Sequence, residues 1–196
     1  MVVDPRRTSS AQFANLWLPL EVGTDIALAI GVAHVILSEG LENQRFIERA
    51  TSGFDAYRDH VLSHSLAWAS ETSGVPAESI RALARTYARA DRAMICWTLG
   101  ITEHHNAVDN VLSLINLALL TGHVGKYGSG LNPLRGQNNV QGGGDMGALP
   151  HKFVGFQDVE DEAVRKKFEA AYGVELPATN GWHLTEVLHA KEEGRV

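Results

Sequence analysis

The chain has 196 residues, 44% hydrophobic and 20% charged, a globular composition that excludes a fibrous repeat or a wholly disordered tail and is long enough for one or two domains. Seventeen Lys and Arg against 23 Asp and Glu leave a net charge of −6, which argues against a non-specific binder of nucleic acid or anionic membrane. One cysteine, Cys96, excludes an internal disulfide framework and any zinc or iron–sulfur site built from this chain's own thiolates.

Val2 and Val3 read as the end of a strand, which Asp4-Pro5 cannot continue. A domain seldom begins with the last residues of a strand, so the chain is expected to be a piece of a larger polypeptide. Charge and proline arrive too early for a signal peptide, and the best apolar run, 111–120, is interrupted by Ser113 and Asn116. The expectation is a cytoplasmic protein without a membrane segment.

Gly23-Thr24-Asp25 leads into 26–37, apolar on nearly every side, which predicts a buried helix. Residues 41–50, 54–62 and 65–71 read as further helical pieces, and another helix starts within 74–78 with Pro76 near its first turn. In it Ile80, Leu83, Ala84, Tyr87 and Ala88 recur at i, i+3, i+4, i+7 and i+8, the spacing of one buried face. The short apolar run 93–97 predicts a parallel strand covered on both faces, with Cys96 an inert core thiol. Gly100 follows its carboxyl end, and 106–120 returns to a helix that Thr121-Gly122 stops. This alternation predicts an α/β fold, an open Rossmann-like, mostly parallel sheet flanked by helices, with ligands at the carboxyl ends of strands.

Ten of the 19 glycines fall between Gly100 and Gly147, a density expected of a loop that approaches a ligand closely. No Asp or Glu occurs from Val111 through Gly144, while Lys126 and Arg135 do, so an anion fits there. Within Asn132-Pro133-Leu134-Arg135-Gly136-Gln137-Asn138-Asn139-Val140-Gln141 one guanidinium and five carboxamides crowd together, donors suited to pterins, nucleobases or carboxylates. Arg135 can clamp a small carboxylate by two parallel hydrogen bonds, or it can pair with a distant acid of the protein. Leu99, Gly100 and Glu103 follow the strand at 93–97, where polar tips face ligands, whereas His104 and His105 read as solvated. Asp4 and Arg6, and Gly23 with Asp25, also sit at strand ends. A carboxylate there accepts from ribose hydroxyls or guanine N–H groups, although Asp25 serves equally well as a helix N-cap. P-loop, dinucleotide, zincin and nucleophile-elbow motifs are absent. After Pro150, residues 160–172 and 184–193 read as exposed amphipathic helices, His183 and His189 belonging to a solvated face.

The stretch from Trp97 to Pro150 resembles the molybdopterin oxidoreductase family, and within it formate dehydrogenase catalytic subunits. It contains Leu99-Gly100-Ile101-Thr102, Asn116-Leu117-Ala118, Leu120-Thr121-Gly122, the run 130–142 and Asp145-Met146-Gly147-Ala148-Leu149-Pro150. Asp4-Pro5-Arg6-Arg7 and Gly23-Thr24-Asp25 resemble that family's guanosine-contacting loops, so the likeness covers nearly the whole chain. It implies a bis(molybdopterin guanine dinucleotide) cofactor with Mo or W, the guanosine against Asp4, Arg6, Gly23 and Asp25. Leu99, Gly100 and Glu103 would lie along the pterin-diphosphate, Gln137 would be a further cofactor contact, and Arg135 would grip formate for oxidation to carbon dioxide.

The family's cysteine or selenocysteine metal ligand, its neighbouring His and its 4Fe-4S cysteines precede the matched region, so this chain is expected to hold no metal ligand and not to turn over alone. The implied division is a guanosine-binding α/β domain at 1–137 and the beginning of a second cofactor-binding domain at 138–196. The implied partners are the remainder of the catalytic subunit and electron-transfer subunits, NAD-reducing ones among them. Two other readings stay open: a sister enzyme such as a nitrate reductase, and a nucleotide-binding module with no redox role.

Overall fold

The chain opens with β1 (Val2–Val3), α1 (Ser9–Gln12) and β2 (Trp17–Leu18). Pro5 offers no ladder donor and ends β1; Thr8 Oγ1 then accepts from Ala11 N (3.4 Å) to start α1. The two strands pair in parallel, Val2 opposite Trp17 and Val3 opposite Leu18. Five helices follow, α2 (Asp25–Ser38), α3 (Gln44–Ala50), α4 (Phe54–Leu62), α5 (Leu66–Ser73) and α6 (Ala77–Arg89). Next come β3 (Met94–Trp97), α7 (Leu99–Thr102), α8 (Ala107–Thr121) and β4 (Gly130–Pro133). The computed structural model describes residues 1–195, and they divide into a unit Met1–Leu134, which holds all these elements, and a unit that starts at Arg135.

Helix α2 is apolar on almost every side and buries Leu28, Val32, Val35 and Ile36 together with three alanines and Gly31. It is covered by α4, α5, α6 and α8, as a helix without a polar face must be. Helix α6 is amphipathic and turns Ile80, Ala84 and Tyr87 inward, which is the stripe its spacing predicts. Arg85, on the outer side of α6, forks onto Glu39 at the end of α2, with Nε–Oε2 and Nη2–Oε1 both 2.8 Å. The hydrogen bond from Arg85 holds the Glu39 carboxyl below its ordinary range.

The α/β class agrees with the sequence. In place of one open sheet, however, the described residues carry three two-stranded pairs, β1–β2 and β3–β4 parallel and a third antiparallel. Strand β4 lies inside the glycine-rich stretch expected to be loop, in register with β3 from Met94↔Gly130 to Trp97↔Pro133. Strand β3 is not covered on both faces: Met94 and Cys96 are exposed and Trp97 is buried. Alternation sends Ile95 and Trp97 toward the core and leaves the other face open, so Cys96 is an exposed thiol and not a core one. The units part between Leu134 and Arg135, and Leu134 N donates to Trp97 O (2.7 Å). Arg135 and Gln137 accordingly belong to the second unit.

That second unit contains α9 (Val140–Asp145), β5 (Lys152–Phe153), β6 (Gln157–Asp158), α10 (Glu162–Tyr172) and α11 (Leu184–Glu192). β5 and β6 form a hairpin, Lys152 opposite Asp158. Asp161 Oδ1 caps α10 by accepting from Ala163 N (2.8 Å) and Val164 N (3.1 Å). Phe168 of α10 then stacks on Phe153 with ring centroids 4.7 Å apart. Gly147, at φ +81°, leaves only 3.0 Å between a hypothetical Cβ and the Phe153–Val154 backbone; no other residue fits that turn.

Two outcomes test the packing. At Gly31 an added methyl would stand 2.6 Å from Ala69 Cβ, so Gly31→Ala is expected to destabilise by about 1–3 kcal/mol in urea denaturation, although alanine is the better helix former. His123, only 1% exposed, has Nε2 3.0 Å from Tyr87 O. A carbonyl can only accept, so the ring carries its proton on Nε2. Burial lowers the pKa of His123 from 6.5, so below pH 6.5 the unfolded chain takes up a proton before the folded one. Stability is then full above pH 6.5 and falls as the pH drops toward the folded value, by at most about 1.4 kcal/mol per pH unit. Thermal melts from pH 7 to pH 5 should show this decline, and His123→Gln, which keeps an N–H donor, should flatten it.

Candidate functional site

The residues expected at a site come from the ends of strands. At the carboxyl end of β1, Asp4 N donates to Leu18 O (3.2 Å) and Asp4 O accepts from Trp17 Nε1 (2.8 Å). The Asp4 carboxylate turns back to accept from Arg6 N (2.8 Å), and its ion pair with Arg6 Nε, at 3.9 Å with the arginine 84% exposed, is a weak one. The structure thus brings Asp4 and Arg6 together in one turn, held from behind by Trp17. Nothing in the sequence pattern marked Trp17 for that role.

Gly23 takes φ +87° with no atom within 4 Å of where a Cβ would be, so this turn faces open space. It is anchored on one side by Glu21 N donating to Ser73 O (2.8 Å) and on the other by Thr24 Oγ1 donating to Glu21 O (2.6 Å). Asp25 is the first residue of α2; the N-cap is Thr24, without a side-chain cap. The N-cap reading of Asp25 is therefore corrected. Its half-buried carboxylate lies in the first turn of the helix, where the positive end of the helix dipole favours it, and among the described residues no side chain is hydrogen-bonded to it.

Beyond β3 the chain forms α7, whose backbone includes the expected contacts Leu99 and Gly100, both exposed. Nothing lies within 4 Å of a Cβ at Gly100, and Glu103, also exposed, closes the turn through Glu103 N to Leu99 O (2.9 Å). Asn110, fully buried in α8, donates from Nδ2 to Ile101 O (3.1 Å). The sequence signal for it is a carboxamide in so apolar a helix.

Arg135 and Gln137 are exposed at the start of the second unit, as are Asn138, Asn139 and Gln141. Among the described residues no carboxylate lies within ion-pair distance of Arg135, which leaves both prongs of its guanidinium free. His105 is exposed and His104 half-buried, and the described residues contain no cluster of three or more His, Cys, Asp or Glu able to hold a metal. Among the described residues no helix is long and apolar enough to cross a membrane. None of the expected residues lines either of two hollows: a cavity of about 50 Å³ beside Ile47, Tyr57 and Asn116 in the first unit, and an open one of about 690 Å³ beside Leu149, Phe153 and Trp182 in the second. Burial pushes the Tyr57 hydroxyl up to about 12.

The first unit thus carries exposed acceptors at strand ends and open glycine turns, and the second unit, by itself, a crowd of exposed carboxamide and guanidinium donors. The family Molybdopterin oxidoreductase matches this chain over residues 1–196. The chain belongs to the molybdopterin oxidoreductase family. It is 44% identical over 197 aligned residues to formate dehydrogenase H of Escherichia coli (strain K12), which covers all of this chain and 28% of that protein. It is 43% identical over 195 residues to F420-dependent formate dehydrogenase 2 subunit alpha of Methanococcus maripaludis, covering 98% of this chain and 28% of the relative. The chain spans about 28% of the length of these curated relatives. Among solved structures, acetylene hydratase from Pelobacter acetylenicus superposes with a TM-score of 0.62 at 32% identity, over 65% of this chain and 18% of that one.

A helix-dipole contribution from a partly exposed carboxylate is small. Asp25→Asn is therefore expected to change the unfolding free energy by less than about 1 kcal/mol in denaturant titration; a larger loss would show that Asp25 serves the fold.

Proposed function

We propose that this chain is part of the catalytic subunit of a formate dehydrogenase, which oxidises formate to carbon dioxide with a molybdenum or tungsten bis(molybdopterin guanine dinucleotide) cofactor. The observation that carries it is Arg135: a guanidinium with no acid partner among the described residues, in a chain 44% identical to a formate dehydrogenase. Family membership implies the molybdopterin. The guanine dinucleotide form rests on the acceptors this chain offers, because carboxylates at Asp4 and Asp25 with an open glycine turn at Gly23 match the N–H and hydroxyl donors of a guanosine.

In this reading Asp25 and Asp4 accept hydrogen bonds from the guanine edge or the ribose, Arg6 approaches the same nucleotide, and Gly23 leaves room for it. Leu99 and Gly100 offer exposed backbone along the pterin-diphosphate, Glu103 lies at the end of that turn, and Gln137 adds a carboxamide. When bound, the cofactor supplies a two-electron acceptor for the C–H bond of formate. Arg135 holds the formate carboxylate by two parallel charge-assisted hydrogen bonds, which leaves the carbon and its hydrogen directed away from the arginine. Fixing a one-carbon acid in this way turns a chance encounter into an intramolecular step. The proposal includes a 4Fe-4S cluster and metal ligands carried by other parts of the polypeptide, electron-transfer subunits, a cytoplasmic location and no turnover by this chain alone.

In the complete enzyme, Arg135→Ala should cost about 2–5 kcal/mol of transition-state binding, roughly 30- to 5000-fold in kcat/KM for formate. Molybdenum or tungsten content should stay at the wild-type level, and Arg135→Lys, which keeps the charge but loses the fork, should fall between. An unchanged kcat/KM would overturn the assignment, and loss of metal in Arg135→Ala would show a structural role instead.

A further inference from the structure

Helix α7 has four residues, one of them Gly100. A single turn is costly to nucleate and glycine weakens it further, so α7 cannot hold its own shape. The last carbonyls of a helix have no partner within it. One of these, Ile101 O, accepts from Asn110 Nδ2 at 3.1 Å, and among the described residues this is the one side-chain hydrogen bond made to the backbone of Leu99–Thr102. Because the acceptor is a carbonyl, the amide end of Asn110 must face it, and the orientation of the carboxamide is settled by chemistry.

Asn110 is 1% exposed, and its Oδ1 is buried without a hydrogen-bond partner among the described residues. A buried carboxamide with half its capacity unused is unfavourable; an apolar side chain of the same size would suit the packing of α8 better. Stability of α8 therefore does not account for this residue, whereas the grip on α7 does. Around it α8 is otherwise regular, Asn110 N donating to Asn106 O (3.0 Å) and Ser113 Oγ to Asn110 O (2.7 Å).

We propose that Asn110 is a positioning residue: by capping Ile101 O it fixes α7 on α8 and so presents Leu99, Gly100 and Glu103 to the cofactor. The grip stands on the geometry alone, and the cofactor half rests on the proposed function. The two are tested separately.

Amide hydrogen exchange of the 196-residue chain reads the grip directly. Asn110→Leu, isosteric but without a donor, should speed exchange at Thr102 and Glu103 about tenfold, while α2 amides stay within about twofold. Asn110→Gln, which retains a carboxamide donor, should lie near wild type. Should Asn110→Leu lose its α2 protection, Asn110→Ser, whose side chain is too short to reach Ile101 O, replaces it. Unchanged exchange at Thr102 and Glu103 in a folded donor-deleting variant overturns the proposal. In the complete enzyme, guanine nucleotide released by acid should drop severalfold in Asn110→Leu and recover in Asn110→Gln. Faster exchange with wild-type nucleotide content overturns the cofactor half. A wild-type enzyme with no guanine nucleotide overturns the proposed function instead, and is recognised before any substitution is made.

Discussion

Helix α2 has no side that water can favour, and covering it organises the first unit. Four helices, α4, α5, α6 and α8, close around it, at distances set by residues as small as Gly31 and Ala69. The strand pairs are left at the margin of this core: Leu18 of β2 is fully buried in it and Ile95 of β3 packs against it. Because the burial is carried by helices, the strands can be short, two to four residues each, and their ends emerge at the surface. Those ends are where Asp4, the α7 turn and the segment leading to Arg135 leave the scaffold.

The chemistry of the surface follows from what the scaffold does not cover. A run without carboxylates from Val111 through Gly144 keeps the free guanidinium of Arg135 from being neutralised nearby in the chain. The carboxylates that are present, Asp4 and Asp25, are held at turns by backbone hydrogen bonds or a helix terminus and are not spent in strong ion pairs. A bound group can then satisfy them. The strong fork in the first unit, Arg85 on Glu39, lies elsewhere and joins two helices. The likeness to an acetylene hydratase shows why fold alone does not name the reaction: one scaffold serves different chemistries, and the side chains placed at its strand ends decide among them.

The long elements were legible because their signals are local. Residues 54–62 read directly as α4, the near-continuous apolar stretch at 26–37 as α2, and the i, i+3, i+4 stripe as the inner face of α6. Four strands escaped. β2, β5 and β6 are two residues long, and β4 contains Gly130 and Pro133, residues that discourage a strand and that only pairing with β3 overrides. Short glycine-rich α9 was hidden for the same reason. Cys96 was misplaced because an apolar run does not say which of its faces another element will cover. Of the candidate site, the donors proposed for it stand together in Asn-Pro-Leu-Arg-Gly-Gln-Asn-Asn and could be read from the sequence, but the supports could not: Trp17 behind Asp4 and Asn110 behind α7 act across 13 and nine positions of the chain.

By itself the sequence determined the helices, the burial of α2 and the donors available to a ligand, since these depend on the spacing and chemistry of neighbouring residues. The tertiary structure alone decided that β3 pairs with β4, that Asp25 is left without a capping role, that Cys96 is exposed, and that a buried asparagine holds the turn after β3. Each of these depends on which distant segment arrives at a given face, and a hydrogen bond or a covered surface exists only once that segment is in place.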